Sequence, residues 1–198
     1  LKRLERTQRP GINALFEAAG IDPTEGLEAS DIGFRLGPRI NASGRLADAR
    51  TPIDLLLASH YGDCFATARE LDAINRERQD IERAIAEAAM EQIERGPLRD
   101  APGIVVYDPS WHHGVVGIVA SRIVSHFYRP ALVLGCAGDG DGVEDSMLAK
   151  GSGRSVKGVD LVGVLERCSH LLDRWGGHPM AVGLTVEKEH VPALQEAF

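Results

Sequence analysis

The long helical signal over residues 63–95 constrains this chain more than any other feature of its sequence. Leu71, Ile74, Ile81, Ile85 and Ala88 recur at three- and four-residue steps, with Arg78 interrupting the stripe. Glu70, Arg76, Glu77, Asp80, Glu82 and Arg83 take the opposite face, and Gly96-Pro97 stops the pattern. At 1.5 Å per residue such a helix runs on the order of 50 Å. That is longer than one small domain buries, so it reads as a connector.

The flanks of this helix differ in kind. Ahead of it, residues 1–20 are helical in pattern, interrupted at Pro10-Gly11 and stopped at Gly20. Residues 21–33 are acidic and loop-like, and 31–44 are rich in Gly, Pro and Arg without a period, which predicts an ordered loop feeding a helix. Thr51-Pro52-Ile53-Asp54 predicts a helix start, with a hydroxyl cap, a proline in the first turn and a carboxylate three residues after the cap. Behind it, residues 103–107 and 131–135 read as short buried strands around an apolar helix at 114–127. Residues 147–149 predict a strand leading into a turn at Arg154, 159–174 an amphipathic helix, and 180–186 a last strand. Strands alternating with helices indicate an α/β unit with a mixed sheet. A second unit is therefore expected to start near residue 100.

A net charge of −7 over 198 residues excludes a protein that coats DNA by bulk charge. The distribution is more telling. Residues 35–50 and 149–158 each carry a local +3, while Asp139, Asp141, Glu144 and Asp145 put −4 into a glycine-rich stretch between them. A basic cleft on an acidic body would bind a polyanion locally. Cys64, Cys136 and Cys168 are odd in number and lie at no metal-ligand spacing, so buried thiols and a reducing cytoplasm are expected. No apolar run approaches the roughly 18 residues that cross a bilayer, so no membrane partner is expected. The first residue is Leu1 and the last, Phe198, falls inside a helical pattern, which suggests a piece of a longer protein.

Two glycine-rich segments carry the chemistry. Lys150-Gly151-Ser152-Gly153-Arg154-Ser155 gathers hydroxyl, backbone amide and guanidinium donors, the set a terminal phosphate needs. It is not a Walker loop, because the Gly-Lys-Ser/Thr ending is absent. In Gly176-Gly177-His178-Pro179-Met180-Ala181-Val182-Gly183, the double glycine allows close approach to the backbone beside an imidazole. Gly37-Pro38-Arg39-Ile40-Asn41-Ala42-Ser43-Gly44-Arg45-Leu46 either satisfies its own backbone through Asn41 and Ser43 or presents two arginines to an anion. In Trp111-His112-His113-Gly114, adjacent histidines cannot both face one way in a regular element. His112 lies at a strand-to-helix junction, where α/β sheets bind ligands, and is either a ligand contact or a structural histidine. His113 reads as a helix-start or core residue.

Taken in order, these motifs resemble the RecJ family, the single-strand-specific, 5′-end-directed exonucleases of the DHH phosphoesterase superfamily. The resemblance runs from about residue 10 onward. The Gly-Gly-His segment is shared across the superfamily; its combination with Gly-Pro-Arg-Ile-Asn and Trp-His-His-Gly is specific to the exonuclease branch. It implies a two-lobed enzyme with Mn²⁺ or Mg²⁺ held by aspartates and an Asp-His-His motif in a first lobe almost entirely outside this sequence. Trp111-His112-His113 is not that motif. The implied fold is a mixed-sheet DHH-associated domain at 99–198, preceded by connecting helices at 51–98 and the helical tail of the DHH domain at 1–50. Ser152 and Arg154 would then grip the 5′-terminal phosphate of single-stranded DNA. Arg39, Asn41 and Arg45 would line a narrow strand path, with Gly176, Gly177 and His178 bordering the cleft and His112 at the substrate. No metal or catalytic residue is expected in this chain, which alone should be catalytically silent, and other repair proteins are partners that the sequence does not name. Two departures stand out: Val182 where the family has a small alanine, and the acidic residues 139–145. Two rival classes are a hydrolase of short oligonucleotides or cyclic dinucleotides, which the Arg-rich segment opposes, and a binding-only module, which the truncated-looking ends oppose.

Overall fold

The computed structural model describes residues 1–136 and 147–198, so the acidic stretch 139–145 lies outside the described residues. The chain divides into two units, Leu1–Asp80 and Ile81–Phe198. The first unit holds α1 (Lys2–Glu5), α2 (Pro10–Ala19), a π-helical segment (Asp31–Leu36) that continues into α3 (Gly37–Leu46), α4 (Arg50–Leu57) and the first part of α5 (Cys64–Arg95). α2 opens on Pro10, whose fixed φ suits a first helical turn, and closes on Gly20 at φ 64. Leu15, Phe16, Leu36, Leu55, Ala68 and Leu71 form the core of this unit.

Three expectations need correction here. Residues 31–44 form helix rather than loop. Pro38 opens α3 directly after the π-helical segment, where the Gly37 N–H still reaches back to the Ile32 carbonyl, and Leu36, Ala42 and Ser43 are buried. Burial outweighs glycine and asparagine penalties of about 1 kcal/mol or less each. α4 starts at Arg50, ahead of Thr51, because the Asp48 carboxylate accepts from the Arg50 N–H at 2.8 Å and satisfies an early donor itself. In α5 the buried positions are Ala68, Leu71, Asp72 and Asn75, then Ile85, Ala86, Ala89 and Ile93, while Ile74, Ile81 and Ala88 are only half-buried. The small alanines carry more of the packed face than their hydrophobicity suggested.

The second unit contains β1 (Ile104–His112), α6 (His113–Phe127), β2 (Ala131–Cys136), β3 (Leu148–Arg154), α7 (Leu161–Arg167), β4 (Leu172–His178), β5 (Ala181–Glu187) and α8 (Val191–Ala197). The five strands form one sheet in the order β1-β2-β3-β5-β4, parallel between β1 and β2 and antiparallel elsewhere. The mixed α/β class is as the sequence indicated. α6 packs on β1, β2 and β3, α7 on β4 and β5, and α8 on β1. Val105, Leu132, Leu134, Leu161, Leu165, Val182, Leu184, Val186 and Leu194 share one core.

Two segments differ from expectation in this unit. Lys150 to Arg154 is strand, not turn: Gly151 and Gly153 lie under leucines, where a Cβ would sit 2.3 Å from Leu134 Cδ2 and 2.5 Å from Leu132 Cδ2. The alternation of long side chain and glycine is the period of a strand. The helix expected at 159–174 ends at Arg167, and residues 172–178 form β4. Cys64 and Cys168 are buried thiols, and burial raises the Cys168 thiol above its ordinary value. The Cys136 side chain lies outside what is described. Among the described residues, no helix is long and apolar enough to cross a membrane.

Candidate functional site

The register across β3, β5 and β4 sets side chains in rows. Arg154 pairs with Ala181 and Ala181 with His178; Ser152 pairs with Gly183 and Gly183 with Gly176; Lys150 pairs with Thr185 and Thr185 with Arg174. Because side chains alternate along a strand, these rows share one face of the sheet. The intervening Leu184, Trp175 and Val182 join the core on the other face. The middle row has almost no side chains, since a Cβ at Gly176 or Gly183 would meet nothing within 4 Å. A bare lane therefore crosses β5 and β4. Arg154 and His178 stand on one side of it, Lys150 and Arg174 on the other.

At the head of this lane Arg154 donates from Nη1 to Ser152 Oγ at 3.0 Å and to the Gly153 carbonyl at 2.8 Å. The Ser152 hydroxyl donates to the Val182 carbonyl at 3.2 Å. α6 closes on this pair through Gly117, where a Cβ would lie 3.1 Å from Ser152 Oγ and 3.3 Å from Arg154 Nη2. A glycine in a helix interior costs about 1 kcal/mol relative to alanine, and here it admits the serine and the guanidinium against the helix. Val182 packs against Gly153; a Cβ on Gly153 would be 2.7 Å from Val182 Cγ2. A cleft of about 400 Å³ opens over the lane, lined in part by His113, Lys150, Ser152, Arg174, Gly183 and Thr185.

The predicted residues distribute unevenly. Ser152, Arg154, Gly176 and His178 meet on this face, and Gly177, at φ 143, shapes the end of β4. His112 caps α6, its Nδ1 accepting from the Gly114 N–H at 3.1 Å. His112 and His113 do not share a regular element, since the strand ends at one and the helix begins at the other, and their rings stack at 5.0 Å and 13°. His113, read from sequence as structural, lines the cleft. Lys150, Arg174 and Thr185 were also missed, although the Lys-Gly-Ser-Gly-Arg alternation held the signal for the first of them.

In the other unit, Arg39 is turned inward. Its Nε and Nη2 reach Asp72 Oδ1 at 2.9 and 2.8 Å, and its Nη1 donates to the Arg35 carbonyl at 2.6 Å. Asn41 and Arg45 lie four residues apart on the exposed side of α3. Among the described residues, the cluster of acidic and histidine groups able to converge on a metal is Glu187, Glu189 and His190. It lies beyond the opposite end of β5 from Ala181, the partner of Arg154, so a metal there would not face the Arg154 row. These residues do not fit a metal pair acting on a phosphate held by Ser152 and Arg154.

Residues 100–198 match the DHHA1 domain family. Over 197 residues the chain is 43% identical to the single-stranded-DNA-specific exonuclease RecJ of Salmonella typhimurium strain LT2, covering 96% of this chain and 33% of that protein. It is 42% identical over 195 residues to RecJ of Bacillus subtilis strain 168, covering 98% and 24%. Among solved structures, RecJ from Thermus thermophilus in complex with Mg²⁺ matches with a TM-score of 0.83 at 33% identity, covering 99% of this chain and 29% of that one. The chain spans about a quarter to a third of the length of the curated relatives it matches.

Proposed function

Since the chain belongs to the DHHA1 domain family, we propose that it is the substrate-gripping part of a single-strand-specific 5′-to-3′ DNA exonuclease, with Ser152, Arg154 and His178 holding the 5′-terminal phosphate. The observation that carries this reading is the hydroxyl and guanidinium fixed side by side, 3.0 Å apart, at the head of a lane without side chains. A guanidinium meets phosphate oxygens in a two-pronged geometry. The Ser152 hydroxyl, now donating over 3.2 Å to Val182, swings its proton to a phosphate oxygen when one arrives. His178 contributes a third donor from the same row, and the bare Gly176–Gly183 step lets the sugar-phosphate chain lie against the sheet.

In this reading residues 1–50 are the tail of the catalytic lobe, 51–98 connect, and Asn41 and Arg45 line the path of the strand. The metal ions, Mn²⁺ or Mg²⁺, would supply the activated water and offset charge on the transferring phosphoryl, and their ligands lie outside this chain. Work on DNA in a reducing cytoplasm suits the buried thiols Cys64 and Cys168.

Fluorescence anisotropy of the chain with single-stranded oligonucleotides tests the proposal. A 5′-phosphorylated strand should bind about a hundredfold more tightly than the same strand with a 5′-hydroxyl, the scale of one or two charge-assisted hydrogen bonds. Equal binding overturns it. The same samples with Mn²⁺ or Mg²⁺ should leave the strand whole, and degradation would move the metal chemistry into this chain. Gly117→Ala supplies a sharper check. The added methyl raises helix propensity by about 1 kcal/mol but presses on Ser152 Oγ at 3.1 Å and on the flexible end of Arg154 at 3.3 Å. The melting temperature should hold within a few degrees while the preference for the phosphorylated end falls several-fold.

A further inference from the structure

Lys150, Thr185 and Arg174 have no place in the grip on the terminal phosphate, yet they form the row next to that of Ser152, across the bare lane from Arg154 and His178. Lys150 and Arg174 are exposed, and both line the cleft together with Ser152 and Gly183. Two residues along a strand separate this row from that of Ser152 by roughly 6.8 Å, the scale of one nucleotide step along an extended strand. A lone surface lysine or arginine on a strand is ordinarily a solubilising charge. Here an ammonium and a guanidinium flank a hydroxyl on adjoining strands, and all three face a lane with no side chains in it. Among the described residues Arg174 pairs with Asp173, whose carboxylate lies 3.5 Å from Arg174 Nε on an exposed stretch. An exposed pair of that kind holds its partners weakly.

We propose that Lys150, Thr185 and Arg174 form a second phosphate subsite, which takes the first internucleotide phosphodiester of a strand whose 5′-phosphate sits on Ser152 and Arg154. The inference rests on the proposed end-gripping role. It adds that the face measures one nucleotide: the terminal phosphate is held at Ser152 and the next phosphate one row further along the strands, while Gly183 and Gly176 leave room for the sugar. The terminal row then selects the 5′ end, because a strand entering backwards presents no terminal phosphate to Arg154, and the second row sets where the next phosphate lies.

The test uses the full chain and 5′-phosphorylated oligonucleotides carrying one uncharged methylphosphonate, at the first, second or third linkage. Binding should fall about tenfold when the first linkage is neutral and much less for the other two. Lys150→Met combined with Arg174→Gln, which keeps the side-chain stems, should lose a similar factor on the unmodified strand. It should then show little further loss with the first linkage neutral. Its salt slope should drop by about 0.7 for each phosphate that the protein no longer neutralises. The variant should melt with the wild type and keep its preference for a 5′-phosphate over a 5′-hydroxyl. Indifference of the wild type to the modified linkage, or losses that multiply between variant and methylphosphonate, overturns the second subsite and leaves the end grip standing. Failure of the wild type to discriminate the 5′-phosphate overturns the end grip instead, and the second subsite with it.

Discussion

Arg154→Ala should lower the affinity for a 5′-phosphorylated single strand by about ten- to a hundredfold while barely changing the affinity for a 5′-hydroxyl strand. The range follows from charge-assisted hydrogen bonds of about 1.5–3 kcal/mol, at 1.4 kcal/mol per factor of ten. Half-buried Arg154 works in a setting less screened than open surface, so the upper part of that range is attainable. A structural role makes a different forecast. The bonds from Nη1 to Ser152 Oγ and the Gly153 carbonyl lie on a partly solvated strand, and losing them should cost about 1 kcal/mol of stability. If Arg154 only braced β3, the variant would melt lower and bind both ends equally less well. Anisotropy with both strands, beside a thermal melt, separates the two. Arg154→Lys should recover only part of the loss, since an ammonium supplies the charge without the fork.

What could be read from the sequence depended on whether one physical signal dominated each segment. α6 was legible because Val115, Val116, Val119, Ala120 and Ile123 repeat on one face and are buried. The end of α5 was legible because Gly96-Pro97 leaves no other outcome. α3 was not, because Gly37, Pro38, Asn41, Ser43 and Gly44 are poor helix formers, and the burial of Leu36 and Ala42 that overrides them appears only in three dimensions. β3 was hidden by its own glycines. Read locally, Gly151 and Gly153 suggest a turn; in the sheet they make room for Leu132 and Leu134, and their alternation with Lys150, Ser152 and Arg154 aims those three at one face.

The candidate site divides in the same way. Ser152 and Arg154 were visible because hydroxyl and guanidinium stand two residues apart in one motif. Arg174 and Thr185 were invisible because they join the site only through the pairing of β5 with β4, which no local pattern states. Arg39 shows the converse. Its motif suggested a ligand contact, but 33 residues away Asp72, buried on α5, engages its guanidinium in the folded chain.

Gly176 and Gly177 give the second large effect, because sequence treats them as a pair and the fold does not. Gly177 has φ 143, and a Cβ there would lie 2.4 Å from the Ala181 carbonyl oxygen and 2.8 Å from Val182 Cα. Both neighbours are backbone, so neither can swing aside. Left-handed strain of about 1–3 kcal/mol adds to the clash, and Gly177→Ala should destabilise by about 3 kcal/mol or more. For a unit of this size that lowers Tm by about 10 °C, and it separates β4 from β5 where His178 joins the Arg154 row. Gly176→Ala should behave otherwise. Its Cβ meets nothing within 4 Å, and its backbone is ordinary strand, so stability should change by less than about 1 kcal/mol. The new methyl would stand in the bare lane, and binding of the phosphorylated strand should fall while the melt stays put. Thermal melts and anisotropy on the two variants decide the matter. If both lose only stability, the lane is a by-product of sheet packing; if Gly176→Ala loses only binding, the absence of a side chain there belongs to the ligand.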